Sequence, residues 1–107
     1  MTDDPFGFLQ RWYAAQCDDE WEHTYGVKID TLDNPGWSIA VNLVGTELEG
    51  HTFDWRTLDR TEGDWIHIRS DGRLFQGACG PGNLTEMVAE FEKFATTPAS
   101  ARPEATL

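Results

Sequence analysis

The sequence predicts an α+β domain in which a five-stranded antiparallel meander sheet is flanked by an N-terminal and a C-terminal helix packed on one face. Three observations indicate this class. Apolar residues recur at helical spacing near both ends of the chain, alternate with polar residues between them, and are interrupted by short turn motifs. Strands joined by short turns favour an antiparallel sheet. The 107 residues fit one domain, expected over residues 1–96, with a disordered tail at 97–107.

The first helix is predicted over residues 4–17. Asp3, Asp4 and Pro5 form a helix-start pattern, because acids favour the positive end of the helix dipole and proline fits the first turn. The apolar residues that follow fall at helical spacing and should face the sheet. They are Phe6, Phe8, Leu9, Trp12, Tyr13 and Cys17.

The first two strands are predicted on either side of an Asn34-Pro35-Gly36 turn, since proline fixes φ and glycine allows a positive φ. From Trp21 to Asp30 the chain alternates with a period of two, as in a half-buried strand. One face would carry Trp21, His23, Tyr25, Val27 and Ile29. The same alternation over residues 37–43 predicts the second strand.

Three more strands and a second helix complete the prediction. The strands are expected over residues 53–58, 65–69 and 73–78, with turns at Glu62-Gly63 and Asp71-Gly72. In the third strand Phe53, Trp55 and Thr57 should share one face. The second helix is expected over residues 83–96, with Asn83 as N-cap and Glu86 as the reciprocating acid.

The charge balance is strongly acidic, with 19 Asp and Glu against 8 Lys and Arg and a formal net charge of -11. Such a field disfavours nucleic acid as a partner and attracts cationic surfaces. Simple solubility is the alternative explanation. No apolar run approaches the roughly 20 residues that a membrane span needs, and the acidic amino terminus does not resemble a secretory signal. We therefore expect a cytoplasmic protein without a membrane partner.

The acidic segment around His23 is the first candidate for chemistry. A metal would need several of its side chains to converge, but strand alternation points Glu20 and Glu22 away from His23. Solvated acids at a helix–strand junction explain the segment better than a metal site does. His23 itself is either a general base or, between Trp21 and Tyr25, a hydrogen-bonded core residue. No cofactor is expected.

Cys79 is the second candidate. It lies in Ala78-Cys79-Gly80-Pro81-Gly82-Asn83, between a predicted strand and a predicted helix, where backbone N–H groups can lower a thiol pKa. Rhodaneses and phosphatases place a cysteine loop in such a setting, so a small thiol-dependent enzyme is the alternative function. The loop has no arginine or lysine for an oxyanion, however, and its glycines and proline also suit a strand end.

The run W-Y-x-x-x-C-D-x-x-W-E-H-x-Y-G-V-K-I-x-T-L-D-N-P-G-W, from Trp12 to Trp37, resembles immunity protein 53 of bacterial polymorphic toxin systems. The later pieces Asp64-Trp65 and Phe75-x-Gly77 through Gly80-Pro81-x-Asn83-Leu84 are similar to the same family. The resemblance implies a non-enzymatic protein that binds a cognate toxin domain and protects the producing cell. The acidic balance suits a basic toxin such as a nuclease.

The leading hypothesis is therefore a toxin-neutralising binding protein, a monomer or weak homodimer. The expected contacts are chosen from acids clustered near the first hairpin, with a tryptophan as possible anchor. They are Asp18, Asp19, Glu20, Glu22, Asp30, Asp33 and Trp37. Most of the five tryptophans should fill the core, and one or two should lie at the sheet surface.

Overall fold

The computed structural model describes residues 4–97, and its secondary structure confirms the predicted fold class. Five antiparallel strands form one open sheet, with a helix before and after it. The tail predicted to be disordered lies, beyond Thr97, outside the described residues. The elements are α1 (Pro5–Gln16), α2 (Trp21–Thr24), β1 (Val27–Leu32), β2 (Gly36–Asn42), β3 (Thr52–Thr61), β4 (Asp64–Asp71), β5 (Leu74–Cys79) and α3 (Leu84–Thr96).

The strands lie in the order β1-β2-β5-β4-β3, so the meander is interrupted once. β3, β4 and β5 follow one another as hairpins, but the connection over residues 43–51 carries the chain to the far edge of the sheet. Its Leu43 N–H donates to the Arg73 carbonyl, and its Gly50 N–H donates to the Gly72 carbonyl, both at 2.8 Å. Because this connection is hydrogen-bonded to the β4–β5 turn, the strand beside β2 is β5, where an uninterrupted meander would have β3.

The predicted strand from Trp21 is wrong over its first residues, which form the short helix α2. The Asp18 carboxylate accepts hydrogen bonds from the Glu20 and Trp21 N–H groups at 3.0 and 2.9 Å. Such side-chain to backbone bonds favour a turn over a strand. Trp21 is buried, and β1 begins only at Val27. His23 is exposed, so the expectation that it is a core residue is also wrong.

The core lies between the helices and one face of the sheet. Phe91 of α3 is its centre, with ring centroids 5.1 Å from Phe75 of β5 and 5.2 Å from Trp12 of α1. α3 therefore packs on the sheet and α1 packs on α3. In α1 the buried residues are Leu9 and Trp12, whereas the predicted stripe also contained residues that are exposed. Those residues are Phe6, Tyr13 and Cys17.

Both long helices begin near a side chain that binds backbone groups, although in different ways. Asp4 is the N-cap of α1, and its carboxylate accepts the Gly7 N–H at 2.7 Å. Asn83 makes no side-chain cap bond, so the predicted capping box is wrong. Its side-chain oxygen instead accepts the Trp65 N–H at 3.3 Å, which ties α3 to β4. Within the described range, no helix is long and apolar enough to cross a membrane.

Candidate partner-binding surface

The face of the sheet opposite the helices, which we call the open face, has a shallow trough along its centre. The trough arises because the two central strands, β2 and β5, carry small side chains there, namely Ser38, Ala40 and Ala78. Registry places Ser38 beside Ala78, and Ala40 beside Gln76. The hollow measures about 250 Å³. Its floor is therefore made of methyl groups, one hydroxyl and the Gln76 side chain, between taller walls.

The wall on the β1 side is formed by Lys28 and Asp30. Registry pairs Lys28 with Ala40 and Asp30 with Ser38, so both side chains stand at the edge of the trough. Both are exposed. In the described part of the chain, neither makes a salt bridge or a side-chain hydrogen bond. This wall therefore offers one free cation and one free anion.

The opposite wall is formed by Trp55 of β3 above Arg69 of β4. The Arg69 guanidinium carbon lies 5.5 Å from the centre of the Trp55 ring, its Nε donates to Gln76 Oε1 at 3.0 Å, and its Nη2 lies 3.8 Å from Asp71 Oδ2. Trp55 is 54% exposed, the most of any large hydrophobic residue described. Arg69 is thus engaged within the protein, while most of the indole remains open to solvent.

Trp55 lies on the face opposite to the predicted one. The sequence prediction placed it beside Phe53, but the register of β3 against β4 shifts between Phe53 and Arg56. A bulge adds one residue and reverses which side chains face the core. Phe53 is consequently buried on the helix side, with Arg56 over its ring at 4.4 Å, while Trp55 turns to the open face.

The tryptophans differ in whether their indole N–H groups are already used. Trp12 donates to Glu47 at 2.9 Å, Trp21 to the Val44 carbonyl at 2.8 Å and Trp37 to the Pro81 carbonyl at 3.0 Å. Among the described residues, Trp55 and Trp65 have no such acceptor, and both contribute to the open face. Tryptophan combines a large apolar surface with one donor, which makes it a frequent interface anchor.

A second polar pair borders the open face on β3 and β4. His67 Nε2 lies 2.7 Å from Asp59 Oδ1, and the His67 ring lies 5.1 Å from that of Trp65. Both members of the pair are partly exposed, and cross-strand registry brings Asp59 next to Trp65. The pair holds the imidazole in place beside the aromatic surface.

The predicted acidic contacts do not form one patch. Asp18, Asp19, Glu20 and Glu22 lie at the α1–α2 junction, while Asp33 lies in the turn after β1. The six residues of β1, about 20 Å of strand, separate the two groups. Asp30 is the member of the set that lines the trough. Trp37 is half-buried against the core, and its N–H is bonded within the chain.

Two of the junction acids bind their own backbone. Glu22 accepts the Asp18 and Asp19 N–H groups, each at 2.9 Å, and the pKa of its carboxyl is lowered first by its own backbone N–H and then by these two. The Trp21 and Glu20 N–H groups lower the pKa of the Asp18 carboxyl in the same way. Both side chains therefore stabilise the junction in their charged form. Asp19 and Glu20 leave their carboxylates exposed to solvent.

The strongest cluster of opposite charges lies away from the trough and is structural. Arg60 of β3 bridges Asp64 at 2.8 Å and Glu86 at 2.6 Å, and the Asn83 amide donates to the same two carboxylates. The Arg60 guanidinium lowers the pKa of both carboxyl groups. This cluster fastens the β3–β4 hairpin to the start of α3.

The thiols are placed unfavourably for the chemistry considered from the sequence. Cys79 is completely buried at the end of β5, and burial raises its pKa to about 11. Cys17 is exposed, and its Sγ lies 3.4 Å from the Tyr13 carbonyl oxygen. Within residues 4–97, no group of three or more His, Cys, Asp or Glu side chains is arranged to hold a metal ion.

Comparison with known proteins gives one family. No curated protein and no solved structure matches the chain. A family model described as immunity protein 53 matches residues 6–96, which covers every element from α1 to α3. The match includes both walls and the floor of the trough. The chain therefore belongs to the immunity protein 53 family.

Proposed function

We propose that this protein binds a cognate bacterial polymorphic toxin in the cytoplasm and neutralises it by protein–protein contact, without making or breaking bonds. The observation that carries the proposal is the family match over residues 6–96. The open face supports it, since an exposed tryptophan beside a trough of small side chains is suited to receiving another protein.

The proposed toxin is basic, such as a nuclease. The chain carries 19 acids against 8 bases, so a cationic partner would meet it faster and be held by charge complementarity. Acids at the contact would then occupy a groove built for phosphates. Because exposed charges are screened by salt, the complex should weaken as ionic strength rises.

The proposed contacts include the acids predicted from the sequence. Asp19 and Glu20 at the α1–α2 junction and Asp33 in the β1–β2 turn are exposed at opposite ends of β1. Asp30 lies between them, on the wall of the trough. A toxin that covers the open face from one end of β1 to the other would reach all of them.

Among residues 4–97, neither cysteine has the surroundings that the thiol-enzyme alternative needs. A nucleophilic cysteine needs an exposed sulfur with a lowered pKa, whereas Cys79 is buried and its pKa is raised. The Gly80 N–H that follows it donates to the Trp65 carbonyl at 2.9 Å, so this part of the loop continues the hydrogen bonding to β4.

Co-expression tests the proposal. The polypeptide encoded by the gene immediately upstream is expressed with this protein or with an empty vector, and growth is scored. We expect growth to be rescued and the two chains to co-purify in a complex that dissociates as salt is raised. Continued growth arrest with no complex would contradict the proposed function, and a salt-insensitive complex would contradict the basic partner.

The junction acids offer a matched test of the charge argument. Asp19→Asn combined with Glu20→Gln removes two charges whose side chains make no bond in the described residues. The pair of substitutions should weaken the complex and reduce its salt dependence, because fewer charges remain to be screened. Thermal unfolding should stay unchanged, which separates lost contacts from lost folding.

A further inference from the structure

The chemistry of the trough indicates which kind of side chain it can hold. Its floor carries the small side chains of Ala40, Ala78 and Ser38 beside Gln76, in a hollow of about 250 Å³. The Asp30 carboxylate stands on one wall and the Trp55 indole on the other. A guest therefore meets methyl groups and the Gln76 side chain below, an aromatic surface on one side, and on the other the Asp30 carboxylate with the Lys28 ammonium on the same strand.

We infer that the trough receives an arginine or lysine side chain of the toxin, with its aliphatic stem over Ala40 and Ala78 and its cationic head at Asp30. The inference rests on the proposed function and names the contact through which it would act. Long cationic side chains lay their methylene groups on apolar surface and keep the charge at its edge, which matches the floor and wall of the trough.

The charges around the trough favour a cationic guest over an apolar one. An apolar guest would cover Asp30 without giving its carboxylate a partner, and burying an unpaired charge is costly. Arg69 on the far wall is already engaged by Gln76, Asp71 and the Trp55 ring, so its charge is partly compensated. The excess of acidic residues in the whole chain also favours a cationic guest.

Lys28 makes the inference sharply testable, because it lies on the same wall as Asp30 and carries the opposite charge. The two residues are separated by one position on β1 and point to the same face. Lys28 should repel a cationic guest that Asp30 attracts. Removing either charge should therefore change the affinity for the toxin in opposite directions.

The experiment measures the dissociation constant of the purified toxin, the product of the gene immediately upstream, against four variants by calorimetry. Asp30→Asn should weaken binding about tenfold, and Lys28→Gln should tighten it by about threefold. Trp55→Ala should weaken it by about tenfold or more. Glu62→Gln is the matched control, an exposed acid in the β3–β4 turn that is not among the proposed contacts and does not line the trough, and it should change binding by less than about threefold.

The possible outcomes separate a failure of the cationic-guest inference from a failure of the proposed function. Equal effects of Asp30→Asn and Glu62→Gln, or weaker binding by Lys28→Gln, would overturn the cationic guest while leaving the immunity function standing. A large loss with Trp55→Ala and none with Asp30→Asn would overturn it in favour of an apolar guest. If the parent protein neither binds nor protects, the proposed function fails and the inference fails with it. Unchanged thermal unfolding in all four variants shows that the sheet is intact.

Discussion

Replacing Cys79 with alanine should destabilise the protein and leave the proposed neutralisation of a toxin intact. The Cys79 side chain is completely buried, and registry places it between Trp37 of β2 and Ile66 of β4. Removing one buried heavy atom loses about 0.8 kcal/mol of transfer free energy. The methyl-sized void that remains costs about 1 kcal/mol more. The free energy of unfolding should fall by about 2 kcal/mol in total.

The assay has two parts. For a domain of this size, about 2 kcal/mol corresponds to a fall in melting temperature of about 10 °C, which circular dichroism resolves easily. Growth rescue is then scored at a temperature well below the melting point of the variant. Cys17→Ala is the control, since Cys17 is exposed and its loss should change stability by less than about 0.5 kcal/mol.

Thiol reactivity provides an independent check on the same residue. The chain has two cysteines, and an exposed one reacts with an aromatic disulfide reagent far faster than one that is buried. Because burial raises the pKa of Cys79 to about 11, one thiol should titrate in the native protein and the second only after unfolding. If Cys79→Ala stays folded but no longer protects, the reasoning that makes this thiol structural is refuted.

Three further variants test the structure. In Arg60→Gln, the free energy of unfolding should fall less steeply than in the parent as the pH drops below about 4. Arg60 lowers the pKa of two carboxyl groups, so its contribution is present above their unfolded pKa and disappears as falling pH protonates them; acid titration of the melting temperature measures this. Gly36→Ala should cost more than about 1 kcal/mol, because φ is +157° and the new Cβ would lie 2.2 Å from the Cys79 carbonyl oxygen. Gly82→Ala, where a Cβ meets nothing within 4 Å, is its control, and similar urea midpoints for the two would contradict the clash. Asn83→Ala should cost about 1–3 kcal/mol, since the β4 N–H that it satisfies loses its acceptor. A urea midpoint equal to that of the parent would show that another group replaces the amide.

Locally encoded parts of the fold could be predicted from the sequence. The start of α1 depends on Asp4 binding the Gly7 N–H three residues away, and the β4–β5 turn depends on Asp71 accepting the Arg73 and Leu74 N–H groups. Each of these interactions lies within a few residues. The pattern of residue types therefore contained the information.

The parts that could not be predicted depend on contacts far apart in sequence or on local competition. The pairing of β2 with β5 is set by the path of residues 43–51, which no periodicity reveals. The segment after Trp21 alternates like a strand, but the carboxylates of Asp18 and Glu22 bind nearby N–H groups and favour a helical turn. Local hydrogen bonds prevailed over the hydrophobic period.

The candidate site was only partly predictable for the same reason. Its charge indicates Asp30, which lies on the trough, whereas nothing in the sequence distinguishes Trp55 from the other tryptophans. Its exposure follows from the bulge after Phe53, and a bulge leaves no clear mark in an alternating sequence. The trough itself requires Ala40 and Ala78 to be neighbours, which follows only from the β2–β5 pairing.

The position of α3 has a consequence for the order in which the core can form. Phe91 and Phe94 cover Phe75 and complete the packing of α1, yet they are among the last described residues to be synthesised. A nascent chain that has emerged only as far as β5 exposes that aromatic surface and has no closed core. A chain that stops before α3 therefore lacks a closed core, and the sheet and α1 can pack together only once α3 is present.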